Sequence, residues 1–351
     1  MPPDPAAAPA APLRLCIDKD ALAANWRALD RASGTGKAGA AVKANAYSLG
    51  VPQVVPVLRD AGCADWFVAH WQEVPGVMAH VPAGEISVLH GPVTMDEVAF
   101  ARECGARPVL NTLEQAARWI EGGGGTCDLM IDTGMNRLGV SLKDLGDPLI
   151  ARLDVDCAMS HMASADEDAP KNAQQLGRFR EARASVKARR FSLANSAAIA
   201  LGPDYHFDLT RPGLSLYGGI PRREMSAFIR QVAFPQAAVL QVRRVMPGET
   251  VGYNATFQAT REMRVAIVSV GYADGYLRAW SDKGRFSFEG AALPAIGRVS
   301  MDMTAVDVSD VPTLREGDWL GIEYDPVWAS RTSGLSQYEI FTVLGSRFSR
   351  R

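Results

Sequence analysis

The sequence predicts a TIM-type (β/α)8 barrel followed by a C-terminal all-β domain. From about position 39 to position 216, short apolar runs alternate with longer segments of helical period, the signature of parallel strands joined by crossover helices. The alternation repeats about eight times, the number that closes such a barrel. Beyond about position 230 the apolar residues fall on a period of two, and Pro-Gly and Glu-Gly turns separate the runs. A length of 351 residues leaves room for both domains.

In chain order, the Pro- and Ala-rich start MPPDPAAAPAAPL predicts a disordered arm over 1–12, with no basic segment or membrane-spanning apolar stretch after it. The run LRLCI precedes the first helix and falls outside the barrel count, so 13–18 is assigned for pairing to the later β-domain, although the barrel domain is drawn over 13–230. Predicted barrel strands are GAAVKA, DWFVAH, ISVLHG, RPVLN, CDLMID, DVDCAMSH, FSLANS and FDLTRPG. Between them lie helical segments such as VPQVVPVLRDAG, TMDEVAFAREC, TLEQAARWIEG and NAQQLGRFREARASVKARR. A doubly wound open sheet is the competing architecture, but it needs a nucleotide loop. GTGKAG has the spelling of one and precedes a strand instead of following it. The glycine run at 122–125 has no helix start or lysine after it and reads as a flexible connection. The β-domain, 231–351, is carried by AVLQVRRV, MRVAIVSVGY, GRFSFEG, MDMTAVDV and GDWLGIEY.

Composition excludes several functions. Net charge is −2 and the 37 basic residues are scattered, so no nucleic-acid surface is expected. The five cysteines are spread out, with no C-x-x-C spacing, and read as reduced core thiols of a cytoplasmic protein. The sequon Asn254-Ala255-Thr256 is one by spelling only, since nothing marks the chain for secretion.

Barrel enzymes carry their sites at the C-terminal ends of the strands. Lys43 closes the first apolar run, Arg137 follows the fifth, His161 ends the sixth, Asn195 and Ser196 end the seventh, and Arg211 ends the eighth. A lysine at the end of a buried strand is costly as an ammonium, so its pKa falls and it becomes a candidate nucleophile or base. Such an amine can form a Schiff base, and pyridoxal phosphate is the commonest carbonyl cofactor held that way. Each residue alone also reads as an ordinary rim or loop side chain. Their gathering at one mouth favours a site.

Nine segments in one order, AVKANAYSLG, DTGMNRLGV, SHMASAD, LANSAA, RPGLSLYGG, VGYNATF, VGYADGY, GRVSMDM and SQYEI, carry a resemblance to alanine racemase from about Leu13 onward. That family is pyridoxal phosphate-dependent and has a barrel and a β-domain. The resemblance implies that Lys43 holds the cofactor and then serves as one base, with Tyr272 as the other. It further places a His161–Arg211 chain behind Tyr272, and Arg211 against the pyridine nitrogen, where a side chain that cannot give up its proton leaves the ring a weaker electron sink. Asn195 joins these residues in the implied cofactor site. The cofactor phosphate would meet Ser196, the backbone N–H groups of Gly213 and Leu214, and the phenols of Tyr47 and Tyr338. The substrate carboxylate would meet Arg137 and the N–H of Met301, with Asp302 in support. The implied activity is interconversion of L- and D-alanine by two bases, supplying D-alanine for peptidoglycan, in a homodimer whose sites are shared between chains.

Three departures from the family pattern stand out. Ser48-Leu49-Gly50 replaces Gly-His-Gly after the first motif. Met130 occupies the position of a lysine, often carbamylated, that orients the arginine, so another anion such as chloride is expected beside Arg137. Gly252 and Asn254 flank Tyr253, which receives no role. Rival readings are a racemase of serine or other amino acids, an amino-acid decarboxylase of the same architecture, and a non-catalytic cofactor carrier. The decarboxylases face the ring nitrogen with a carboxylate and use a glycine-rich phosphate loop, and neither is present here. A one-domain carrier would lack the β-domain and Tyr272.

Overall fold

The computed structural model describes residues 9–351. Most of the predicted N-terminal arm lies outside the described residues, and Pro12, its last position, accepts a backbone hydrogen bond from Ala238 (2.9 Å). The chain divides into two units, Lys19–Arg230 and a second made of the residues up to Asp18 with Gln231–Arg351.

In the first unit, eight parallel strands form a ring. The first is broken at Gly39 into Lys37–Ala38 and Ala40–Ala41; the others are Trp66–Val68, Ile86–Val88, Arg107–Leu110, Thr126–Asp132, Asp154–Met159, Arg190–Ser192 and Leu209–Thr210. Neighbours pair in chain order, and Leu209 opposite Lys37 joins the last strand to the first. The seventh and eighth are linked by Asp208 N–H to Phe191 O (3.0 Å) and Arg211 N–H to Ala194 O (2.8 Å). Each of the eight apolar runs read from the sequence contributes to one strand. These strands are buried on both faces, which is why they read as continuous apolar runs instead of alternating ones.

The helices follow from local signals. Val51–Ala61 buries Val51, Val54, Val55 and Leu58, one stripe at helical spacing. Met95–Cys104 starts at a capping box in which Thr94 Oγ1 accepts from Glu97 N–H (3.2 Å) and the Glu97 carboxylate accepts from Thr94 N–H (3.2 Å). Thr112 caps Leu113–Glu121, and Pro170 opens Pro170–Ser185. At the N-terminal ends of the strands lies a charged cluster. Arg190 holds Asp65 (2.7 Å) and Asp156 (2.6 Å), while Arg107 reaches Asp65 (3.3 Å), Asp156 (3.3 Å) and the fully buried Asp128 (3.7 Å).

In the second unit, Leu13–Ile17 pairs antiparallel with Ala233–Val245, from Leu13 opposite Ala237 to Ile17 opposite Ala233. Ala233–Val245 continues to Trp319–Ile322, Arg285–Phe288, Ala291–Ile296, Thr304–Asp307 and Met263–Val268, and the last of these pairs back onto its far half. The result is a closed antiparallel barrel, with Val245, Val251, Met263, Val265 and Ile296 in one part of its core. The expected β-domain is present, and it also carries two short helices. Helices Pro326–Ser333 and Gln337–Thr342 belong to this unit, capped by Asp325 and Ser336. Asp-Pro and Ser-x-x-Glu were their signals, present in the sequence and not read as helix starts. No helix of the described residues is long and apolar enough to cross a membrane. All five cysteines are free.

Candidate active site

The strand expected to run through Lys43 stops at Ala41, and Lys43 instead opens the turn Lys43–Tyr47. Val42 N–H to Phe67 O (2.9 Å) is the last bond tying this strand to its neighbour before the turn. The non-glycine residues 44–48 all have positive φ, between 53° and 65°, so the turn is left-handed. For L-residues that conformation costs roughly 1–2 kcal/mol each, so surrounding structure must hold it. Glu73 is the principal holder. Its Oε1 accepts from Ala44 N–H (2.5 Å), and its Oε2 accepts from Ala69 N–H (2.7 Å) and His70 N–H (3.2 Å) at the end of the second strand. Asn45 Oδ1 accepts from Val51 N–H (2.9 Å), joining the turn to the next helix. The sequence reading missed Glu73, because a carboxylate that acts on backbone N–H groups leaves no motif.

Burial lowers the Lys43 pKa, Arg137 lowers it further, and Glu73 opposes both. His161 is pushed down to about 3, by burial first and then by the charges of Arg211, Arg137 and Lys43. Its imidazole is therefore neutral near pH 7. Arg211 is lowered to about 10 by burial and stays protonated there. Its guanidinium donates to Ser192 Oγ and to Ser160 O, and no carboxylate is among these partners. Lys43, Arg137, His161 and Arg211 thus lie within electrostatic reach of one another at the C-terminal mouth. Arg137 is exposed and has no carboxylate partner among the described residues, and Met130, in the fifth strand, is buried. Among the described residues, no side-chain carboxylate supplies the anion expected beside Arg137.

The proposed phosphate end is built from the seventh and eighth strands. Asn195 caps the short helix Ser196–Ile199 by accepting from Ala198 N–H (3.0 Å), and it bridges to Arg211. Ser196 Oγ accepts from Gly213 N–H (3.0 Å) and Ser215 N–H (3.2 Å), and Leu214 starts the 3-10 turn Leu214–Tyr217. The Gly213 N–H, expected to face phosphate, is thus directed at Ser196 Oγ. A Cβ on Gly213 would stand 2.4 Å from the Tyr47 hydroxyl, so only glycine lets the phenol approach here. Tyr47 is buried and stacks on Tyr217 at 4.7 Å. A lysine of lowered pKa, a cradle of hydroxyls and close backbone, and a buried arginine without a carboxylate fit pyridoxal phosphate.

The remaining predicted residues belong to the β unit. Tyr272 and Met301 sit on adjoining loops, joined by Tyr272 N–H to Ser300 O (3.0 Å) and Ala273 N–H to Met301 O (3.0 Å). Both side chains are exposed, and the Arg278 guanidinium lies 5.0 Å from the Tyr272 ring centre. Asp302 pairs with Arg347 (2.8 Å), which the sequence reading had not singled out. Tyr338 is exposed in the first turn of Gln337–Thr342.

Comparison with known proteins agrees with both units. Residues 17–221 match the family described as "Alanine racemase, N-terminal domain", and residues 232–351 match "Alanine racemase, C-terminal domain". A biosynthetic alanine racemase of Agrobacterium fabrum is 40% identical over 97% of this chain and 94% of its own length. An alanine racemase of Acidiphilium cryptum is 41% identical over 96% and 97%. Among solved structures, alanine racemase from Bartonella henselae with covalently bound pyridoxal phosphate superposes with a TM-score of 0.89 at 33% identity, covering 98% of this chain and 99% of that one. The chain belongs to the alanine racemase family of pyridoxal phosphate-dependent isomerases.

Proposed function

We propose that this enzyme interconverts L- and D-alanine with Lys43 and Tyr272 as opposed bases, in a cytoplasmic homodimer that supplies D-alanine for peptidoglycan. When bound, pyridoxal phosphate supplies the electron-withdrawing ring that makes the α-proton of the joined amino acid acidic. Inverting a stereocentre requires removing a proton from one face of Cα and delivering one to the other, and a single base tends to return its own proton. The Lys43 amine, its pKa lowered by burial and Arg137, handles one face. The Tyr272 hydroxyl handles the other. Arg137 offers a planar fork to the substrate carboxylate, and the Met301 N–H a second donor. Tyr47 and Ser196 hold the phosphate end, together with the Leu214 N–H and the Tyr338 phenol.

The observation that carries this reading over a decarboxylase is the setting of Arg211, buried on Ser192 and Ser160 with no carboxylate among its hydrogen-bond partners. Arginine can donate a hydrogen bond to a ring nitrogen without transferring a proton. The test is incubation with each enantiomer of alanine in deuterium oxide, following α-proton loss and optical rotation together. Loss of the α-proton with inversion is expected from either enantiomer. Loss without inversion would point to one base, absence of loss to a carrier, and release of carbon dioxide to the decarboxylase. A parallel run with serine measures how strictly alanine is preferred.

A further inference from the structure

Arg347, near the C-terminus, ties together the loops that carry Tyr272 and Met301. Tyr272 opens the turn Tyr272–Asp274, and the Asp274 side chain is almost fully buried at its end. Asp274 Oδ2 accepts from the N–H of Gly271, the residue before Tyr272 (3.1 Å). The Arg347 guanidinium grips the same carboxylate, with Nε donating to Oδ1 (2.6 Å) and Nη2 to Oδ2 (2.9 Å). Its Nη1 turns the other way and donates to Oδ1 of Asp302, the residue after Met301 (2.8 Å). One planar fork therefore spans both loops.

The backbone around Arg347 closes on the same turn. Gly345 N–H donates to Asp274 O (3.1 Å), and Gly275, at φ +90°, would place a Cβ 2.5 Å from Val343 O. With Arg347 removed, the buried Asp274 carboxylate would keep the Gly271 N–H but lose its ionic partner. Relaxation of that carboxylate would move the turn that starts at Tyr272. A lysine could offer a point charge to one aspartate, but it lacks the geometry to bond Asp274 twice and Asp302 at once.

We propose that Arg347 is a positioning residue, fixing the Tyr272 hydroxyl relative to the Met301 N–H so that proton transfer and carboxylate binding act on one substrate. This rests on the reading of Tyr272 as a base. The test compares the holoenzymes of the unsubstituted chain, Arg347→Gln, Arg347→Lys and Tyr272→Phe by two measurements. The first is amide hydrogen exchange, which does not depend on turnover. In Arg347→Gln, faster exchange is expected at 271–275 and 300–303, with barrel segments unchanged. The second is α-proton exchange from each enantiomer of alanine in deuterium oxide. Because the loosened loops carry Tyr272 and leave Lys43 in place, exchange from one enantiomer should slow by on the order of 10- to 100-fold more than from the other, and Arg347→Lys should fall between. Equal slowing from both enantiomers, or unchanged amide exchange in the two loops, overturns the proposal. Tyr272→Phe separates the two readings. If it slows both enantiomers equally, the two-base reading fails; if it is asymmetric while Arg347→Gln is not, only the role of Arg347 fails. Should Arg347→Gln not fold, Asp302→Ala removes just the bond toward Met301. It is expected to raise KM for alanine more than it lowers kcat, and an unchanged KM overturns the span between the loops.

Discussion

Burial first, and then the charges of Arg211, Arg137 and Lys43, decide how His161 responds to acid. Its pKa of about 3 lies below the ordinary 6.5, so between those values the unfolded chain binds a proton that the folded chain excludes. Stability contributed by the neutral imidazole is complete above 6.5 and is lost as pH falls toward 3. His161→Asn is therefore expected to flatten the loss of thermal stability across that window. An identical acid slope in the two proteins would show that another group is responsible. Lys43, His161 and Arg211 were legible in the sequence because a polar or charged residue ending an apolar run is costly and asks for a reason. Asp274 and Arg347 were not, because each looks like an ordinary charged residue until the fold joins positions far apart in the chain. Arg137 was legible as a candidate, while its lack of a carboxylate partner could be seen only in three dimensions.

Among the elements, the left-handed turn after the first barrel strand is the one local propensity opposes. Nothing in KANAY favours positive φ at successive non-glycine positions except Asn45, so the sequence extended a strand through Lys43. Glu73 overrides that preference by accepting N–H groups from both the turn and the second strand. Glutamine in its place would turn an N–H donor toward one of those donors. Glu73→Gln is therefore expected to destabilise the protein by about 1–3 kcal/mol, measured by denaturant unfolding, and to lower the Lys43 pKa further, since Glu73 raises it. An unchanged unfolding midpoint would mean that the turn holds without the carboxylate. The barrel strands were readable because burial on both faces makes them continuous apolar runs bounded by turns. In the β unit the strand Ala291–Ile296 escaped notice, as its alanines and Pro294 lack the β-branched residues that mark a strand.

At the scale of the whole molecule, the sequence announced two architectures through a change of hydrophobic period, and the structure has a parallel and an antiparallel barrel. Periodicity could not say how the proposed bases, carried by different units, come to share a substrate. Tyr272 and Met301 expose their side chains on adjoining loops of the β unit. In the proposed homodimer they would face the barrel mouth of a second chain. The most direct test mixes two inactive proteins, Lys43→Ala and Tyr272→Phe, under conditions that exchange subunits. Each mixed dimer would contain one site with both bases intact, and random association should restore about one quarter of the racemase activity of the unsubstituted enzyme. Mixtures no more active than their separate components would contradict a site built from the amine of one chain and the phenol of another.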